Sequence, residues 1–274
     1  MSDIEIIKSL FHDFPFALFG SILVGLVCSF IGVYIISKRI VFVGAALTQV
    51  SMMGLAFAFL PFIHFNPFFT SLVSTLLAVG FLSRIIERKI LPADAILGLT
   101  FVTAIAMRIL FLQKSYAVET AEIENLLRGD VLFVTAEKFY IILITATVIL
   151  STHFIFYRKF VFIALDPETA ATQGFNVKFW DVLLFLTIGI TIAVATQVAG
   201  DLFVFGFLII PTSISLLIFK KVKYIFLGSV AIGIILPIIG LFFSFKFDFP
   251  VGPTTIGSAL ILLISAFIVK YLKS

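Results

Sequence analysis

Nine apolar runs, each near the length of a bilayer-spanning helix, limit this chain more than any other feature: 16–36, 40–60, 68–86, 93–112, 139–157, 179–198, 202–219, 224–245 and 254–270. A helix needs about 20 apolar residues, rising about 1.5 Å each, to cross the hydrocarbon core. The runs are continuous rather than alternating, which argues for helices and against a β-barrel. The expected fold class is therefore an all-α polytopic membrane protein with about nine spans, in the range eight to ten, forming one transmembrane domain over residues 1–274. The second and seventh runs carry Gly, Gln and Pro, so eight full spans plus a broken one is the alternative count.

Composition closes off the soluble alternatives. Only 12% of the residues are charged and 61% are hydrophobic, whereas a soluble domain carries roughly 25% charged residues. A water-facing shell cannot be built from that supply. The basic residues sit singly or in adjacent pairs, mostly at the ends of the runs. With the N-terminus outside and each run crossing once, 13 fall at inner ends and 5 at outer segments, Arg108 lying within a run. Positive residues stay cytoplasmic, so an outside N-terminus and a cytoplasmic C-terminus are expected in the plasma membrane. The net charge of +4 therefore reflects topology, not nucleic-acid binding. The first run is preceded by Asp3, Glu5 and Asp13 and is too long for the core of a cleaved signal peptide. Cys28, the single cysteine, reads as a small packing residue.

Two segments do not span. The polar stretch 113–138 contains Glu119, Glu122 and Glu124 and is expected outside, with a short surface helix over 121–128. The second, Asp166-Pro167-Glu168-Thr169-Ala170-Ala171-Thr172-Gln173-Gly174, carries start and stop signals for a short helix. Asp166 suits the N-cap, Pro167 the first helical position and Glu168 the positive end of the dipole. Gly174 suits the left-handed residue that closes the helix. A rigid helix between two spans on the ATP-accessible side fits a docking point for a soluble motor, or a plain helical connector.

Further interruptions mark 200–211, where Gly200, Gly206 and Pro211 suggest a broken helix, the rigid outer stretch Asp248–Pro253, and an outer turn bracketed by Pro61 and Pro67. Broken helices are tolerated where they face protein or a watery path. Enzymatic signatures (HExxH, GxSxG, Walker A) are absent from the sequence, and His12, His64 and His153 are too separated to suggest a preformed metal site. Each is expected in a loop or at the membrane interface. Asp94 and Asp181 are expected to cap helix starts.

Polar side chains within spans are costly and therefore informative. Ala45, Gln49 and Met52 recur at helical spacing, giving the second span one face of small, polar and soft groups, with Thr48, Ser51 and Gly54 flanking it. That face reads either as helix–helix glue or as pathway lining. Gln197 and Asp201 form an i, i+4 pair near the outer end of the sixth span, read as an outer turn or as part of the pathway.

At these residues the chain resembles the permeases of the zinc/manganese-type metal-ion ABC importers. The resemblance runs from Lys38-Arg39 through Gly54, then Leu126-Leu127-x-Gly129-Asp130, Asp166-Pro167-Glu168 through Gly174 and Gln197-Val198-x-Gly200. It continues with an apolar run ending in Pro211 and with Pro250-x-Gly252-Pro253. It implies a type II importer-like permease, working as a homodimer with a cytoplasmic ABC ATPase dimer that uses the ATP. It also implies an extracytoplasmic substrate-binding protein, and no covalently bound cofactor. The segment Asp166, Pro167, Glu168, Ala170 and Gly174 then becomes the ATPase-coupling helix.

One departure stands out. The family commonly reads Gly-Asp-Ala-x-Ser-His in the second span, with the Asp and His contacting metal. The matching positions here are Ala45 and Gln49. Neither offers the carboxylate or imidazole that zinc or manganese prefers. The expected substrate is still a divalent metal ion; a metal chelate or organic nutrient in the same architecture is the alternative. A stand-alone secondary transporter is a further rival, and it needs mid-span ionisable residues that are scarce here.

Overall fold

A computed structural model describes residues 3–61, 63, 65–88, 90–115 and 131–273 of the chain. The expected acidic segment with Glu119, Glu122 and Glu124, the 121–128 helix, the Leu126 to Asp130 motif and His64 lie outside the described residues. Among the described residues are twelve α-helices and a 3-10 turn, Val131–Phe133. In chain order the helices are α1 (Asp3–His12), α2 (Pro15–Ser37), α3 (Phe42–Ala58), α4 (Pro67–Glu87), α5 (Ala93–Lys114) and α6 (Ala136–Ile155). There follow α7 (Tyr157–Leu165), α8 (Pro167–Thr172), α9 (Val177–Ala199), α10 (Asp201–Ile218), α11 (Val222–Phe247) and α12 (Val251–Lys273).

Eight of these helices are long and apolar enough to cross a membrane: α2, α4, α5, α6, α9, α10, α11 and α12. The chain is an all-α polytopic membrane protein. The second expected span forms α3, which has only 17 residues. At about 1.5 Å per residue it falls short of a core about 30 Å thick. The seventh expected span is helical throughout, with Pro211 inside α10. The interruption comes earlier, at Gly200, whose φ of 82° separates α9 from α10. The fifth expected span ends at Ile155, and a new helix, α7, starts at Tyr157 after the bend at Phe156.

The amphipathic helix α1 was not anticipated from the apolar runs. Ile6 and Leu10 are buried while Ile4, Ile7 and Phe11 are exposed. Asp3 accepts from Lys246 Nζ at 2.9 Å, tying α1 to the end of α11. One protein-facing side, one exposed apolar side and a polar remainder suit a helix lying flat at a membrane surface.

The chain divides into two compact units. One comprises Met1–Val33, Arg128–Ala146 and Val198–Ser274. Its helices approach closely through small residues. A methyl group added to Gly25 would lie 2.2 Å from the Gly233 carbonyl oxygen, and one added to Gly32 would lie 2.1 Å from that of Leu208. Around them the Ser29 carbonyl accepts from Ser229 Oγ at 2.8 Å and Thr212 Oγ1 at 3.2 Å, and the two hydroxyls lie 2.8 Å apart. Lipid is as apolar as leucine, so close contact and interhelical hydrogen bonds must hold α2, α10 and α11 together.

The second unit comprises Tyr34–Leu127 and Thr147–Gln197. Here α3 packs against both α4 and α5. Asn66 Oδ1 caps α4 by accepting from Phe68 N at 2.8 Å, with Pro67 in the first turn. Outward-facing apolar side chains such as Leu77, Phe81 and Phe154 supply the lipid-covered surface.

The close approach in the first unit makes a specific prediction. Gly25→Ala forces backbone against backbone and is expected to cost about 1–3 kcal/mol, as overpacking does. Gly80, with nothing within 4 Å of an added methyl, is expected to accept alanine with no loss. Thermal unfolding midpoints of the two detergent-purified variants check this, and equal midpoints contradict it.

Candidate functional site

Helix α3 holds the first group of candidate residues. Of its 17 residues, 14 are buried. Successive residues turn by about 100°, which separates two faces. Ser51 and Gly54 form the face against α4. Ser51 Oγ and Ser71 Oγ are 2.8 Å apart, Ser74 Oγ donates to Val50 O at 3.4 Å, and a methyl on Gly54 would lie 1.9 Å from Ser74 Oγ. The small residues that brace α3 are thus Ser51 and Gly54, with Ser71 and Ser74 opposite.

Ala45, Gln49 and Met52 lie roughly on the other side of the helix. All three are buried, as is Thr48, whose hydroxyl is returned to its own backbone by donating to Ala45 O at 2.9 Å. Gln49 supplies the amide on this face, and none of its members is charged. Met52 packs with Leu55 against Phe59 and Leu112 of α5. The face has no anionic or imidazole ligand with which to hold a divalent cation.

Gln197 and Asp201 behave differently. Gln197 is buried and reaches from α9 to α4, its Nε2 donating to Phe68 O at 3.4 Å and to Ala193 O at 3.3 Å. Its amide nitrogen is therefore engaged in bracing α9 against the first turn of α4. Asp201 is half-buried at the start of α10, where Oδ1 accepts from Leu202 N at 2.7 Å. Among the described residues no group of three or more His, Cys, Asp or Glu comes together.

The second candidate region is α8 and its ends. Asp166 caps the helix, its Oδ1 accepting from Thr169 N at 3.0 Å and its Oδ2 from Thr169 Oγ1 at 2.6 Å. These hydrogen bonds hold the Asp166 carboxyl below the usual carboxylate range. The sign follows: the cap is intact above the ordinary carboxylate pKa and is lost as pH falls through the lowered one. Pro167 occupies the first turn. Gly174 takes φ 83°, and the helix closes with Gly174 N donating to Ala171 O and Phe175 N to Ala170 O, both at 3.1 Å. This pair of bonds is the Schellman closure. Ala170 is the one fully buried residue from Leu165 to Gly174, so the remainder of the segment, including Glu168, offers its surface outward.

Three features escaped the sequence. His153 is buried, not interfacial. Its ring stacks on Phe160 at 4.3 Å and lies 4.9 Å from Tyr34. Its Nε2 is 3.0 Å from Thr187 Oγ1, and that hydroxyl donates to Leu184 O at 2.8 Å, so the ring nitrogen is the donor. Asp181 does not cap α9. Asn176 does, accepting from Phe179 N at 3.1 Å, while Asp181 pairs with Lys38. Lys159 Nζ lies over the Trp180 ring, 4.5 Å from its centroid. Such partners are far apart in sequence, and no local pattern announces them.

The manganese import system permease protein ScaB of Streptococcus gordonii is 29% identical over 276 residues, covering 98% of both chains. The manganese transport system membrane protein MntC of Listeria monocytogenes is 27% identical over 253 residues, 92% of this chain and 89% of that protein. In the solved structure of PsaBC from Streptococcus pneumoniae in complex with Fab, one chain superposes with a TM-score of 0.84 at 24% identity, over 96% of this chain and 95% of that one. That likeness establishes the fold. The family described as ABC 3 transport family matches residues 13–270, and the chain belongs to it.

Proposed function

We propose that this chain is the permease subunit of an ATP-binding cassette importer for divalent metal ions of the manganese or zinc type. In this reading two copies form the pore, a separate cytoplasmic ATPase pair hydrolyses ATP, and an extracytoplasmic protein delivers the substrate. The observation that carries the ATP-driven part is α8. It is capped at both ends, anchored at Ala170 and otherwise exposed, in a chain belonging to an ABC transport family. A mere connector does not require both ends to be fixed.

The relatives named for manganese support a metal substrate. The Ala45–Gln49–Met52 face supports passage without tight holding on α3. Thr48 and Gln49 supply polar tolerance there. The same uncharged face favours a second reading, a metal chelate as cargo, since a chelate brings its own ligands.

Docking through α8 requires Asp166–Gly174 to face the cytoplasm, the side that the basic asymmetry also favours. Cys28 is buried, so an added thiol reports cleanly. Ser274→Cys is expected to resist a membrane-impermeant maleimide in intact cells and to react after permeabilisation; labelling of intact cells contradicts this topology.

The docking role has its own test. Ala170 N donates to Asp166 O at 3.1 Å. Ala170→Pro removes that bond and clashes with the preceding turn, at about 3 kcal/mol or more. The expected outcome is a variant that inserts and accumulates normally while ATP hydrolysis no longer drives manganese uptake. Normal uptake per ATP hydrolysed would reduce α8 to a connector.

A further inference from the structure

The corner between α2 and α3 is unusually well fixed. Lys38 follows the last residue of α2, and Arg39 adopts φ 57°, a left-handed conformation uncommon outside glycine. Arg39 N donates to Ile36 O at 3.0 Å and Ile40 N to Ile35 O at 3.1 Å. Val43 N then donates to Ile40 O at 2.9 Å and Gly44 N to Val41 O at 3.2 Å, opening α3. A push at Lys38 is therefore delivered to the start of α3, the helix that carries Ala45 and Gln49.

The Lys38 side chain is only 14% exposed and its ammonium pairs with Asp181, 143 positions away near the start of α9. It also lies 6.0 Å from the Phe185 ring, one turn further along α9. Asp181 belongs to a stiff block continuous with α8. Phe175, which closes α8, packs its ring 5.7 Å from Phe162 of α7, Asn176 caps α9, and Trp180 of α9 faces Phe156 and Phe160 at 5.0 and 5.6 Å. Two apolar side chains of similar volume would hold these elements together at least as well as a half-buried ion pair. What a charge pair adds is a directional, position-specific link.

Resting on the docking role proposed for α8, we infer that Lys38 and Asp181 are positioning residues. Their ion pair passes movement of the α7–α8–α9 block to the α2–α3 corner, and so to the pathway face of α3. The pair touches neither ATP nor cargo and acts by setting where α3 stands.

The test uses the full complex of this chain with its ATPase and binding protein in proteoliposomes, with manganese as the probe. The readout is manganese transported per ATP hydrolysed, a ratio that a loss of yield or stability alone does not move. Lys38→Met and Asp181→Asn are each expected to lower it by about fivefold or more, the lower range of ordinary coupling free energies. The exchanged pair, Lys38→Asp with Asp181→Lys, is expected to restore most of it, and Lys38→Arg to retain it. Single variants with the wild-type ratio overturn the inference, as does an exchange that restores nothing. Ala170→Pro serves as the reference. If it uncouples while the Lys38 and Asp181 variants do not, this inference falls and the docking role stands. If Ala170→Pro is itself fully coupled, the docking role falls and takes the inference with it.

Discussion

Every backbone N–H and C=O in the hydrocarbon core must find a partner within the protein, because lipid offers none. The rest of this structure follows from that requirement. It is why the apolar runs become helices and why interruptions sit where other groups can close the backbone. Association of those helices cannot then rely on burying apolar surface, so it falls to small residues and hydroxyls. Gly25 against the Gly233 carbonyl, the Ser29 carbonyl with its two hydroxyl donors, and Ser51 with Ser71 are local answers to the same problem.

That requirement also sets what could be read from the sequence. The long helices were legible because each satisfies its own backbone and leaves an apolar run behind. The ends of α8 were legible because capping is local, within three or four residues. Other features depend on partners remote in the chain. Lys38 and Asp181 are 143 positions apart, so Asp181 looked like a helix cap. His153 is buried because Thr187 and two aromatic rings receive it, which spacing cannot show. Of Gly200, Gly206 and Pro211, which together suggested a broken helix, only Gly200 interrupts the chain, and α10 runs through Pro211. Helix α1 was missed because its apolar residues face two directions and never form a run.

The candidate pathway shows the same division. Helical phase placed Ala45, Gln49 and Met52 on one face, and all three are buried. Phase alone left open which small residues brace the helix, and the structure assigns that task to Ser51 and Gly54 on the side facing α4. This leaves the Ala45–Gln49 face available for a role other than holding α3 to α4. Its lack of ligand groups suits a permease in which metal selection lies elsewhere, in the proposed delivery protein or in the cargo's own ligands. Gln197, with its amide nitrogen on two backbone carbonyls, braces α9 against α4.

The central claim is that this chain moves its substrate with energy from ATP hydrolysed by a partner. The most direct test measures uptake of radiolabelled manganese by proteoliposomes containing this chain, supplied with its substrate-binding protein, with and without its ATPase, under ATP or under an imposed proton gradient. Accumulation is expected only with both the ATPase and ATP, whatever the gradient. Gradient-driven accumulation by this chain alone would contradict it and mark the protein as a secondary transporter.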